Sequence, residues 1–226
     1  MAGLLGSAAF AAVSMSAPII FLLVSGIIGF TIAATVLVAQ AYGARNDDYL
    51  GRVLVNSLLG CGALAVLVSV AGTVFAGPLL RLIGTPGDIL DPARTFLAVS
   101  MAGLVFTFLY NWFGGMLRGL GDAKTPLILL LFSTVLNIAL DPLFIRGFGA
   151  VPRMGVAGAA LGAVVANAVM CVVAYVCVLR RHPVLDVRRW MSRIDGSVLA
   201  KLAVIGGPVA LQMSVASSVS YTHLRA

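Results

Sequence analysis

The sequence carries very little charge and contains no glutamate. Its 226 residues include eight acidic side chains, all of them aspartate, and only 10% of the residues are charged. Soluble domains carry about 25% charged residues, so this scarcity excludes an ordinary soluble protein. Hydrophobic residues make up 61% of the chain, and the mean hydropathy is +1.07. The composition therefore predicts an integral membrane protein that contacts the lipid bilayer.

Motifs of enzymes and of nucleic-acid-binding proteins are missing as well. The cysteines Cys61, Cys171 and Cys177 lie in apolar runs without C-x-x-C spacing or a nearby histidine, which is typical of small core residues. No phosphate-binding loop indicates ATP, and no nucleophile–base pair indicates an enzyme. The net charge of +7 comes from basic residues in short turns, as expected of a membrane protein. We expect no cofactor, no ATP and no nucleic-acid partner.

Long runs without charge predict about six membrane segments, because about 20 apolar residues cross a bilayer. The predicted segments cover residues 11–42, 53–80, 95–117, 125–145, 154–179 and 202–222. The predicted fold class is therefore all-α, a polytopic transmembrane helical bundle.

Basic residues predict the orientation of this bundle in the inner (plasma) membrane. Ten lysines and arginines fall on one side, against four on the other, and the richer side is expected to be cytoplasmic. The longest connector, 180–201, places Val184, Val187 and Trp190 among arginines. This pattern fits an amphipathic helix at the membrane surface, and it fits an ordinary basic loop equally well.

Asp141 is the most informative residue, because a carboxylate near membrane depth costs about 2.5–3.5 kcal/mol on insertion scales. Asn137 precedes it by four residues, so both side chains project from one helix face. Pro142 cannot donate a hydrogen bond to the carbonyl of Ile138, which leaves a third oxygen nearby. Such oxygens suit a hard cation or a proton relay. Alternatively, Asp141 lies among headgroups, ends its helix and pairs with Arg146; the spacing alone leaves both interpretations open.

Asn111 is the second polar candidate, within the segment 95–117. Buried amides in membranes often join helices by hydrogen bonds, so this residue is either structural or a ligand. Small residues on the segment 154–179, including Gly158 and Gly162, predict a close helix–helix contact.

Four stretches together resemble the MATE (multidrug and toxic compound extrusion) family. They occur in the family's order, each at the matching helix end, and cover residues 38–45, 117–126, 137–143 and 155–161.

This resemblance implies a secondary active antiporter that exports cationic or amphipathic drug-like compounds in exchange for Na+ or H+. It also implies that Asn137 and Asp141 line a cation site, where Na+ is one candidate, and that Asn111 contributes to it. The family often has threonine where this chain has Ala163, so one ligand is expected to be missing.

The resemblance further implies one lobe of a two-lobe exporter, with the family's helices two to six and the start of helix seven. The acidic residue of the family's first helix is then absent. On this interpretation residues 1–180 form the N-lobe, 181–201 the connector between lobes, and 202–226 the start of the C-lobe. The polar tail 220–226 is expected not to be native.

Two other hypotheses differ from the exporter in testable ways. A lipid-linked saccharide flippase of the same superfamily is expected to line its central cavity with several arginines, and the predicted spans contain none. A non-transporting membrane scaffold is expected to leave Asp141 without a polar side-chain partner and Asn111 far from it.

Overall fold

The computed structural model describes residues 7–147, 152–181 and 194–225. In these ranges the chain forms α-helices joined by short turns. The helices are α1 (Ser7–Gly43), α2 (Asp47–Val74), α3 (Ala76–Leu82), α4 (Gly87–Ala102), α5 (Leu104–Gly119), α6 (Lys124–Arg146), α7 (Val156–Arg181) and α8 (Gly196–Arg225).

Five of these helices, α1, α2, α6, α7 and α8, are long and apolar enough to cross a membrane. Helices α4 and α5 together supply a sixth span, bent by 46° at their junction. The prediction of an all-α bundle with about six membrane segments is confirmed. Residues 182–193 of the predicted connector 180–201 lie outside the described residues, and its last part belongs to α8, which begins at Gly196 and not at 202 as predicted.

Two helix boundaries differ from the prediction. The predicted span 53–80 ends earlier, at Val74, and the apolar residues that follow form the short helix α3. The predicted span 95–117 is a broken helix pair that begins at Gly87. Its break lies at Gly103, where a Cβ atom would overlap Val164 of α7. The glycine lets α7 approach the bend closely, because it has no side chain there.

Side-chain caps fix several helix starts. The side chain of Asn46 accepts a hydrogen bond from the Tyr49 N–H at 3.0 Å at the start of α2. Asp122 accepts hydrogen bonds from the N–H and the hydroxyl of Thr125 at 3.0 and 2.6 Å, at the start of α6. Each cap satisfies a donor that the first turn of a helix leaves without a partner.

The core joins α1, α2, α4 and α5 around large buried side chains such as Trp112 and Phe108. Trp112 also donates its indole N–H to the Ser57 hydroxyl at 3.0 Å, which fixes α5 against α2. Helix α6 packs mainly against α7, whereas α8 packs mainly against α1. Helices α5 and α6, which carry the candidate residues Asn111 and Asp141, lie in neighbouring parts of one bundle.

Candidate functional site

Asp141 lies in the last part of α6 and is only 6% exposed. The Nδ2 atom of Asn137, one turn earlier, donates a hydrogen bond to its Oδ1 at 3.3 Å. The i,i+4 spacing therefore brings the two predicted ligands together, and Asp141 has a polar side-chain partner.

Helix α7 makes room for this carboxylate. A Cβ atom on Gly162 would lie 2.6 Å from Oδ1 of Asp141. One turn earlier, a Cβ atom on Gly158 would lie 2.5 Å from the carbonyl carbon and oxygen of Phe144. The predicted close contact of the small-residue face is confirmed, and its position opposite Asp141 was not foreseen.

The alternative interpretation of Asp141 as a helix end paired with Arg146 is wrong. Helix α6 continues beyond Asp141 and Pro142 to Arg146. Among the described residues the ion pairs are those of Arg52 with Asp48 and with Asp195, so Asp141 joins none. Pro142 has no N–H, so the carbonyl of Ile138 lacks its usual helical donor beside the carboxylate.

Asn111 lies on α5 and donates a hydrogen bond from Nδ2 to the Thr107 carbonyl oxygen at 2.8 Å. It lines a cavity of about 380 Å³ between α5 and α6. Asp141 is not among the residues that line this cavity, and no hydrogen bond joins these two described side chains. The structure thus pairs Asn137 with Asp141 and leaves Asn111 in the neighbouring cavity.

A polar contact between α5 and α7 escaped the sequence analysis. Asn167 of α7 donates a hydrogen bond from Nδ2 to the Thr107 hydroxyl at 3.0 Å. Thr107 thereby connects Asn111, through its carbonyl, with Asn167, through its side chain. The sequence signal was only an amide in an apolar run, and the register of α5 against α7 was needed to recognise the contact.

Arg118 corrects the expectation that the spans contain no arginine. It lies in the last turn of α5, and it lines the same cavity as Asn111. A Cβ atom on Gly114 would lie 3.3 Å from its guanidinium, so the side chain folds back over this glycine. Arg52 likewise lies within α2. The absence of arginine is therefore no argument against a flippase.

No group of metal-ligating side chains is found within the described ranges. Cys61 and Cys171 are buried and unpaired, as expected of core residues, and Cys177 is partly exposed. Around Asn137 and Thr107 the converging polar groups are amides, hydroxyls and the Asp141 carboxylate, and the Arg118 guanidinium lies in the neighbouring cavity. Oxygen atoms of this kind are ligands for hard cations such as Na+ rather than for zinc.

The bundle, with its long apolar helices, is that of a multi-pass membrane protein. The chain belongs to the MatE family, whose model matches residues 1–143. Probable multidrug resistance protein YoeA of Bacillus subtilis (strain 168) is 36% identical over 217 residues, covering 94% of this chain and 47% of YoeA. Probable multidrug resistance protein YpnP of the same organism is 32% identical over 213 residues, covering 94% and 46%.

A solved structure gives the same fold. The inward-facing conformation of a multidrug resistance MATE family transporter of the MOP superfamily matches with a TM-score of 0.84 and 26% identity. The match covers 94% of this chain and 48% of that one. The chain thus spans about half the length of the relatives that it matches.

Proposed function

We propose that the chain is part of a secondary active multidrug exporter that exchanges Na+ or H+ for cationic or amphipathic compounds. In this proposal Asp141 is the switchable charge of the cation site, and Asn137 and Asn111 are neutral ligands. The observation that carries it is the buried Asp141 carboxylate, whose described side-chain partner is the Asn137 amide and not a basic side chain.

The physical argument starts from the cost of this carboxylate. A charged aspartate in a span costs about 2.5–3.5 kcal/mol, and ligands or protons that neutralise it recover part of that cost. Asn137 donates its N–H to Oδ1, which leaves Oδ2 and the amide oxygen of Asn137 for a cation. The unpaired carbonyl of Ile138 is a further oxygen in the same turn.

Coupling to transport follows from the packing of α6 on α7. Gly158 and Gly162 bring the two backbones together at Phe144 and Asp141. A change in the charge of the carboxylate therefore acts directly on the contact between α6 and α7. A cation that binds one arrangement of these helices more tightly shifts the population toward it. Alternating access in transporters uses such shifts of one bundle against another around a fixed site.

The experiment is ion-driven efflux of a cationic dye from cells that express the protein with Asp141→Asn. We expect ion-driven efflux to be lost, because asparagine cannot exchange its charge. Asp91→Asn is the matched control: Asp91 is an exposed carboxylate at the start of α4, and its loss is expected to leave efflux unchanged. Undiminished efflux in Asp141→Asn would refute the proposed role.

The flippase alternative is favoured by one observation, the guanidinium of Arg118 in the cavity with Asn111. A guanidinium recognises phosphate groups, which lipid-linked saccharides carry. Transport of such a lipid in reconstituted vesicles, lost in Arg118→Gln, would support this alternative over drug export. The scaffold hypothesis predicts that Asp141 has no polar side-chain partner, and the Asn137 contact contradicts this; it also predicts that Asn111 lies apart from Asp141, and the separate cavity of Asn111 agrees with it.

A further inference from the structure

Asp195 connects the start of α8 with α2 through three different groups. Its Oδ1 accepts a hydrogen bond from the Ser197 N–H at 2.9 Å, which caps α8. Its own N–H donates to Oδ1 of Asn56 at 2.9 Å. Its Oδ2 accepts from the Arg52 guanidinium at 3.3 Å. One residue therefore both begins α8 and attaches it to α2.

The α2 side of this contact is held in place by its own helix. Asn56 is 1% exposed and donates Nδ2 to the Arg52 carbonyl oxygen at 2.7 Å. Arg52 also forms an ion pair with Asp48, one turn earlier, at 2.7 Å. Lys201, on the first part of α8, lies 5.2 Å from the ring centre of Tyr49. All these contacts lie at the end of the bundle predicted to face the cytoplasm.

A second, different contact holds the middle of α8 against α1. A Cβ atom on Gly29 would lie 2.7 Å from the Gly206 carbonyl oxygen and from the Ala210 nitrogen, so the two backbones touch. One helical turn further on, the hydroxyls of Ser25 and Ser214 lie 2.8 Å apart. This small-residue contact contains no charged group.

The weak point of α8 lies at the near edge of the second contact, in the turn from Val204 to Pro208. Pro208 has no N–H, so the carbonyl of Val204 has no helical donor, and bending there is easier than in an unbroken helix. Val204 is 74% exposed, so its side chain adds little to the packing. Opening of the residues from Asp195 to Val204 about this turn would expose Val198 and Leu202, each 1% exposed, and would leave the Ser25–Ser214 contact beyond it in place.

We propose that Asp195, Arg52 and Asn56 form a clasp that closes the first part of α8 onto α2, and that α8 opens at this end while its contact with α1 at Ser214 persists. Resting on the proposed transport function, this opening is one of the motions of alternating access. In that role Asp195 and Arg52 are positioning residues, remote from the proposed cation site on α6.

The test measures thiol labelling in the membrane-embedded chain after Cys61, Cys171 and Cys177 are changed to alanine. Val198→Cys reports on the first part of α8, because Val198 is 1% exposed, and Ser214→Cys reports on the contact with α1. We expect Asp195→Asn to raise maleimide labelling at position 198 about fivefold and to leave position 214 unchanged. Asparagine still caps a helix, so α8 keeps its start.

Three further variants make the result decisive. Asp47→Asn removes an exposed carboxylate from the first turn of α2 and is expected to leave labelling at position 198 unchanged. Arg52→Gln is expected to raise labelling at position 198 at least as much as Asp195→Asn, because it also removes the Arg52–Asp48 ion pair, and the double variant is expected to act no more strongly than Arg52→Gln alone. Asp141→Asn is expected to abolish efflux and leave labelling unchanged, which separates the clasp from the proposed function.

Unchanged labelling at position 198 in both Asp195→Asn and Arg52→Gln would overturn the clasp. An equal rise in Asp47→Asn would also overturn it, because the effect would then be one of charge alone. A rise at position 214 as large as that at 198 would contradict the persistence of the contact with α1.

Discussion

The contact of α6 with α7 and the contact of α8 with α1 are both built on glycine, but the carboxylate of α6 and the carboxylate at the start of α8 have different partners. Both contacts bring backbones together, through Gly158 and Gly162 in the first case and through Gly29 and Gly206 in the second. Asp195, at the start of α8, is paired with Arg52 of α2, away from the glycine contact with α1, and its side chain is 27% exposed. Asp141 is 6% exposed and has only an amide as its described side-chain partner.

In the proposed function, this difference separates a charge that stabilises the fold, at Asp195, from one that binds the coupling cation, at Asp141. An arginine already compensates Asp195, so a cation or proton gains little there. Among the described residues no basic side chain offsets the burial of the Asp141 carboxylate. This is the arrangement expected of a group that takes up a cation during transport.

The largest effect on stability is expected from Gly158→Ala. The new Cβ would lie 2.5 Å from the backbone of Phe144, which cannot rotate away, and the free energy of unfolding is expected to fall by about 1–3 kcal/mol. Thermal unfolding in detergent measures this change. Gly207→Ala on α8 is the control, since nothing lies within 4 Å of its Cβ. Equal melting temperatures would show that the α6–α7 contact is looser than described.

An intermediate effect is expected from Asn137→Ala. Its loss removes the described donor to Asp141, and we expect the ion concentration for half-maximal efflux to change about tenfold, equivalent to about 1.4 kcal/mol. Asn111→Ala is expected to change it less, because the Asn111 amide is bonded to the Thr107 carbonyl. A larger change in Asn111→Ala would move the centre of the site to the cavity between α5 and α6.

The smallest effect is expected from pH on the Asp195 contact. Hydrogen bonds from Ser197, and then the Arg52 guanidinium, lower the pKa of Asp195 below its ordinary value. Because the pKa is lowered, the contribution of the Asp195 contact to stability is fully present above the ordinary pKa of about 3.9 and is lost as the pH falls through the pKa of the folded state. The distribution of distances between spin labels at Arg45 and Ala203 is therefore expected to stay unchanged from about pH 8 to pH 5 and to broaden only in stronger acid. Broadening near neutral pH would contradict this pairing.

Much of the fold was predictable, because bilayer thickness sets the length of an apolar run. Helix α6 was predicted as 125–145 and is found as Lys124–Arg146. The break at Gly103 was missed, since a glycine in an apolar run does not reveal whether another helix approaches it. Phe75 and the residues after it remain apolar, so the start of α3 was merged with α2.

The candidate site was predictable only within one helix. The i,i+4 rule places Asn137 beside Asp141 without knowledge of any other helix. The approach of Gly162 to Asp141, and of Asn167 to Thr107, depends on the register between helices. No local pattern records that register, so these contacts required the structure.

Cation binding to the purified protein is the most direct test of Asp141 as the ligand of the coupling cation. Radioactive Na+ binding and proton release on binding, measured side by side, compare the unaltered protein with Asp141→Asn and Asp195→Asn. We expect that the unaltered protein shows either Na+ binding or proton release, and that this signal disappears in Asp141→Asn and persists in Asp195→Asn. Cation binding that survives in Asp141→Asn would contradict it.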